Sequence, residues 1–452
     1  MAGKIVTLEI TDLAFDGKSV AHLDGKVVFL KGGLPGEKVE AEITVTKPRY
    51  NTGIVTKLLT KSEHRIKAKC SHFGICGGCT WQDLKYEIQL MYKQKQVYDC
   101  LARIGNLSET EIDEIIPSEE IFNYRNKMEY SFHTSGDNSF TLGLHQRGHF
   151  DKIFDLKKCH LQAEPSSKIV NWMRDYVAKE EIPVYDVLEH TGYMRFLMIR
   201  TAAGTEELMI NMVTNYGDFP DPEKFIEQIL PDFPEITTIV HNQNGKKSNI
   251  ATGEIEKILH GPGFITEKLL GRSFRISSNS FFQTNPKQTE TLYRTAFEML
   301  GPDSNDRVLD LYCGTGSIGI LLADRVKEVV GVEIVPDAIV AARKNAEING
   351  IENIQFYEAN VKDYLNAGSQ EIENFNILII DPPRAGINPR ALKKMLKLKP
   401  EKILYISCNP ATFSRDAANI VESGYTLPRV KPVDMFPHTM HIELVSVFYR
   451  EK

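Results

Sequence analysis

Asp310-Leu-Tyr-Cys-Gly-Thr-Gly-Ser-Ile-Gly319 follows an apolar run, Val308–Tyr312, and opens a helical stretch. Gly314 and Gly316 let the main chain approach a ligand, and Gly319 allows a helix to pack close against the strand. Glu333 ends the next apolar run, 19 residues after Gly314, where a carboxylate can accept from two ribose hydroxyls. A strand, a glycine turn, a helix and an acid in that order predict a site for an adenosine-containing cofactor. The pattern also serves nicotinamide dinucleotides, so it does not by itself choose the cofactor.

Outward from this motif, Val329–Glu333, Ile354–Phe356, Ile377–Asp381 and Ile403–Ser407 are further short apolar runs, suited to strands buried on both faces. Helical stretches alternate with them, among them Asp337–Ile348, closed by Asn349-Gly350, and Pro410–Glu422. Two last strands are expected near Arg429–Val433 and Ile442–Tyr449. Residues 263–452 are therefore expected to form an α/β, doubly wound, Rossmann-like domain. In such a sheet, ligands bind outside the carboxyl ends of the strands, and Gly314, Glu333, Asp381 and Cys408 all fall on that edge. An antiparallel last strand brings Glu443 back to it. Asp381-Pro-Pro-Arg384 resembles the acidic, proline-rich end of the fourth strand in class I S-adenosylmethionine methyltransferases, which favours that cofactor over NAD. Arg384 stands where enzymes that methylate amino groups carry an aromatic residue, which disfavours N-methylation of adenine.

The rest of the 452-residue chain reads as two further domains. Residues 1–60 contain short, alternating, β-branched runs separated by Gly-containing turns, which predicts an OB-type barrel. Lys47, Arg49 and Tyr50 on one of its turns suit RNA backbone contact and base stacking. Residues 61–262 mix a helical stretch, Leu84–Arg103, with strand-like runs and predict an α+β domain. Net charge is −6 overall, yet the first 103 residues are net +5. A basic front on an acidic body fits a phosphate-bearing partner reached over short distances. No run of 18 apolar residues is present, so no membrane span is expected. The opening MAGKIVTLEI is not a signal peptide, and seven cysteines do not make a disulfide framework; a reduced, cytoplasmic setting is the expectation.

Four of the cysteines form a constellation: Cys70, Cys76 and Cys79 around Gly77-Gly78, with Cys159 far along the chain. Four thiolates suit a tetrahedral zinc or an iron–sulfur cluster, although zinc ribbons usually show two paired arms. Cys100 and Cys313 read as packing residues. Cys408 and Glu443 on one edge suit a different chemistry. A thiolate added to carbon 6 of a uracil makes carbon 5 nucleophilic toward a methyl donor. A carboxylate then removes the carbon-5 proton so that the thiolate can leave.

With these residues in view, the chain resembles the RNA uracil-5 methyltransferases, specifically the bacterial 23S ribosomal RNA branch. The resemblance rests on SCNPATFSRD (Ser407–Asp416), DPPRAG (Asp381–Gly386), DLYCGTGSIG (Asp310–Gly319), NSFFQTN (Asn279–Asn285), FPHTMHIE (Phe436–Glu443) and YRNKMEY (Tyr124–Tyr130). It implies Cys408 as nucleophile and Glu443 as base, with cofactor contacts from Gln283, Tyr312, Glu333, Asn360 and Asp381 and a weaker candidate in Ser317. It implies a 4Fe–4S cluster on Cys70, Cys76, Cys79 and Cys159, and identifies residues 1–60 with a TRAM module. Of Phe281 and Phe282, one is expected in the core and the other at the pocket. Arg125 and Lys127 are expected on one strand face as a phosphate track. A monomer is expected. The competing readings are the same chemistry on tRNA, whose branch typically lacks the cluster cysteines and the barrel; cytosine-5 methylation, which usually needs a further cysteine near Asp381; and a non-catalytic ribosome-assembly factor.

Overall fold

Alternate residues of the central strands point into two separate cores, the reason their apolar runs are unbroken. In the computed structural model, which describes residues 3–134, 139–366 and 374–451, Val308, Ile377, Ile379, Leu404 and Ile406 pack on one side, with helices Pro286–Leu300 and Pro336–Ile348. Leu309, Leu311, Leu378, Ile380 and Tyr405 pack on the other, with helices Pro389–Lys397 and Pro410–Glu422. The parallel strands lie in the order Ile354–Glu358, Glu328–Glu333, Arg307–Leu311, Ile377–Ile380, Lys402–Ser407. Strand Glu443–Arg450 follows antiparallel, with Ser407 opposite Leu444, and Arg429–Val433 lies beyond it. Chain order reverses between Arg307–Leu311 and Ile377–Ile380, which opens a crevice at their carboxyl ends.

The front of the chain closes into a five-stranded barrel, Ile5–Leu13, Ser19–Leu23, Lys26–Lys31, Lys38–Thr46 and Tyr50–Thr60. Its alternating Leu8, Ile10, Val28, Leu30, Val39 and Ile43 fill the interior. Lys47, Arg49 and Tyr50 stand exposed on the last hairpin, the Tyr50 ring edge-on to Phe29.

The middle region does not form one unit over 61–262. Its seven-stranded sheet is built from residues 127–260, with helices Ser166–Lys179 and Pro222–Asp232. Helix Tyr86–Cys100 instead buries Val97, and Leu101 after it, in the core of the C-terminal sheet, and Glu111–Ile112 pairs with Arg429–Val433 as that sheet's edge strand. An amphipathic period specifies that a face is buried, not which domain covers it. The expected helix Leu84–Arg103 starts two residues later, at Tyr86, and after Cys100 continues as a π-helical turn, Leu101–Gly105, closed by Asn106 in the left-handed region. Among the described residues, no helix is long and apolar enough to cross a membrane.

Candidate active site

The glycine turn behaves as its sequence predicts. Tyr312, Gly314 and Gly316 all have positive φ, at 66°, 53° and 79°. A side chain on Gly316 would meet Phe356 at 2.7 Å, whereas one on Gly314 would meet nothing, so Gly314 faces open space. Gly319 packs between Ile354 and Val329. Glu333 is fixed by main-chain donors: Gly314 N to one oxygen at 3.2 Å, Ile334 N and Val335 N to the other at 2.7 and 3.0 Å.

Tyr312, Gly314 and Glu333 line a cavity of about 1500 Å³. Asp381, Arg384, Cys408 and Glu443 line it too, as do Ser317 and Gln283. Asn360 does not join them: its side chain accepts from Lys362 N at 2.9 Å and caps the short helix Val361–Tyr364. Of the two adjacent phenylalanines, Phe282 is buried against Phe274, and Phe281, 71% exposed, faces the cavity. Arg125 and Lys127 part company. The strand begins only at Lys127, whose ammonium pairs with Glu129 at 2.7 Å, while Arg125 turns to the cavity. They do not form a one-face track.

Burial pushes Asp381 up to about 7, and burial plus Asp381 raises Glu443 well above the carboxylate range. Cys408 is pushed up to about 12 by burial, then by Glu443 and Asp381. Arg384 is the cation that opposes the shift of both Cys408 and Glu443. A positively charged ligand placed among these groups would be welcomed and would release their protons. Beside Arg384, with its Nη2 at 3.3 Å, lies His441, lowered to about 4 by burial and then Arg384, so it is neutral at pH 7. Sequence reading missed both residues. Arg384 was visible in Asp381–Gly386, but only as the absence of an aromatic.

The thiol shift gives a test in the ligand-free protein. A thiolate is the alkylated species, and its fraction grows tenfold per pH unit until the pKa is reached. Iodoacetamide labelling of Cys408, followed by peptide mass spectrometry, is expected to climb about tenfold per unit from pH 7 and still be climbing at about pH 10, where an ordinary thiol has levelled off.

The four remaining candidates, Cys70, Cys76, Cys79 and Cys159, also line this cavity, each half-buried. The fold brings Cys159 to the other three: it raises the pKa of each, after burial. Gly78 N donates to Cys76 Sγ at 3.3 Å and Gln82 Nε2 to Cys79 Sγ at 3.5 Å, as donors do toward thiolate ligands. Among the described residues, no three His, Cys, Asp or Glu side chains form a group that could hold a single metal ion. Cys100 and Cys313 are buried, as expected of packing residues.

Residues 85–451 match the family described as tRNA (uracil-5-)-methyltransferase, and residues 1–56 match the TRAM domain. An uncharacterized RNA methyltransferase of Chlorobaculum tepidum is 39% identical over 99% of this chain and 97% of its own length. Another, from Caldanaerobacter subterraneus, is 38% identical over 98% of each. The crystal structure of Pyrococcus abyssi tRNA (uracil-54, C5)-methyltransferase in complex with S-adenosyl-L-homocysteine matches 98% of this chain and 100% of that one, at 31% identity and a TM-score of 0.79. The chain thus belongs to the RNA uracil-5 methyltransferase family, whose methyl donor is S-adenosylmethionine, with a TRAM domain at its front.

Proposed function

We propose that the protein methylates carbon 5 of uridine in 23S rRNA through a covalent bond between Cys408 and carbon 6 of the base. One observation carries this reading: Cys408, Glu443, Asp381 and Arg384 face the same cavity as Gly314 and Glu333. S-adenosylmethionine, when bound, supplies an electrophilic methyl group. Glu333, Tyr312, Gln283 and Asp381 would hold it; Asn360, occupied as a helix cap, is left out of this set. Cys408, as thiolate beside the Arg384 guanidinium, forms the bond to carbon 6, and the ring electrons pass to carbon 5, which takes the methyl group. Glu443 removes the carbon-5 proton, the double bond re-forms, and the carbon–sulfur bond breaks. The target base must leave its stack to reach the thiol.

The four cysteines at the cavity would hold a 4Fe–4S cluster, in the spacing of the 23S rRNA branch. The transfer needs no redox step, so the cluster would order this segment or position RNA. Protein purified without oxygen is expected to be coloured, absorbing near about 400 nm, with about four irons per chain. Cys159→Ser should remove both the colour and the iron; one zinc and no iron would refute the assignment.

A second reading, the same chemistry on tRNA, is favoured by the Pyrococcus abyssi enzyme, whose likeness spans 98% of this chain, the front barrel included. The barrel therefore does not separate the two substrates. Tritium transfer from labelled S-adenosylmethionine decides: label in 23S rRNA from a strain lacking the gene supports the proposal, label in tRNA supports the second reading, and none in either leaves a non-catalytic factor.

A further inference from the structure

Residues 434–442 link the strands Arg429–Val433 and Glu443–Arg450, carry Phe436, Thr439 and His441 into the cavity, and end on Glu443. Such a connection would ordinarily be a mobile surface hairpin. Here it is gripped from outside the methyltransferase sheet. Lys93, on helix Tyr86–Cys100, is entirely buried; its Nζ donates to Asp434 at 2.6 Å and to the Phe436 carbonyl at 3.1 Å. Tyr86 OH donates to the other Asp434 oxygen at 2.8 Å. Gln89 accepts from His438 N at 2.9 Å. Thr80 N and Trp81 N, directly after Cys79, both donate to the His438 carbonyl, at 2.8 and 3.0 Å. His438 itself is held at a φ of 66°. The barrel closes the ring: a side chain on Gly17 would lie 2.7 Å from Thr80 and 3.2 Å from Met440.

A buried ion pair is a poor source of stability, because two charges must leave water, and a methionine in place of Lys93 would pack without that cost. What the pair supplies is placement. Packing tolerates small shifts of a loop, whereas a 2.6 Å charged contact with a second bond to the next turn does not.

We infer that Lys93 is a positioning residue for the reaction: through Asp434 and the Phe436 carbonyl it sets the connection that delivers Glu443 and the wall facing it. The inference rests on the reading of Glu443 as the base. Cys408, which follows the strand Lys402–Ser407, is outside the grip, so the two half-reactions should respond differently when it is released.

The test measures turnover, S-adenosylmethionine affinity and the amount of RNA that stays on the protein in denaturant, for wild type, Glu443→Gln and Lys93→Met. Lys93→Met is expected to lose about 10²-fold in turnover, the scale of a misplaced catalytic group, with cofactor affinity unchanged and RNA accumulating on the protein as in Glu443→Gln. A parallel loss of turnover and of adduct, or unimpaired turnover, overturns the inference. Absence of adduct in Glu443→Gln sinks the reading of the base and the inference with it; adduct there but not in Lys93→Met sinks the inference alone. Should the lone Asp434 charge prevent folding, Lys93→Met/Asp434→Leu and Gln89→Met take the same test with the same outcomes, since neither leaves a buried ion unpaired.

Discussion

Cys408→Ala is expected to abolish methyl transfer, by about 10⁴-fold or more, while binding S-adenosylmethionine within about threefold of wild type. The two effects separate because the groups are separate. Cys408 follows strand Lys402–Ser407, whereas Gly314 and Glu333 sit two and three strands away on the same edge. Without the sulfur, carbon 5 of uracil remains part of a conjugated ring and has too little electron density to attack a methyl group. Of the other thiols at the cavity, Cys313 is buried, its pKa raised by burial, Asp310 and Glu333, and Cys70, Cys76, Cys79 and Cys159 are the set proposed to hold the cluster. Truncating a half-buried thiol costs little packing, so the variant should unfold close to the wild-type temperature. Titration calorimetry with S-adenosylhomocysteine and tritium transfer to RNA check the two halves.

Glu443→Gln is expected to slow turnover by about 10²–10⁴-fold and to leave RNA bound through denaturation. The amide has the shape of the acid but cannot take a proton from carbon 5. Addition of Cys408 and methyl transfer can still proceed, and the chain stalls before elimination. The carboxyl is fully buried, and burial and then Asp381 raise its pKa well above the ordinary carboxylate range, which favours the protonated form. A bound sulfonium, added to Arg384, would lower that pKa again and favour the ionised form that takes the proton. Gel separation in denaturant, with labelled RNA, reads the adduct directly.

Much of the site was legible because it lies at strand ends. Runs buried on both faces mark the strands, and the carboxyl edge of a parallel sheet then gathers Glu333, Asp381 and Cys408 without any further information. Glu443 needed the additional step that the last strand runs antiparallel, and its register against Lys402–Ser407 bears that out. What escaped was set by contacts between distant segments. Lys93 reads as one more polar residue on a helix, and only its meeting with Asp434, 341 residues on, makes it a buried ion. Helix Tyr86–Cys100 could have covered either domain. Arg125 and Lys127 alternate in sequence, but alternation places residues on one face only where a strand exists, and Arg125 lies before its start. Asn360 also follows a local rule: an asparagine ahead of a helix satisfies a free N–H there with its side-chain oxygen. His441 had no sequence signal of its own, since a lone histidine gains meaning only from Arg384 beside it.

The most direct test offers the wild-type protein RNA in which the target uridine carries fluorine at carbon 5, together with S-adenosylmethionine. Glu443 then has no proton to remove, and elimination cannot follow methylation. Mass spectrometry of the denatured, digested protein is predicted to find the peptide containing Cys408 joined to a nucleotide bearing both fluorine and the transferred methyl group. Fluorinated RNA that is methylated and released with no bond to Cys408, or a bond formed at another cysteine, would contradict the account.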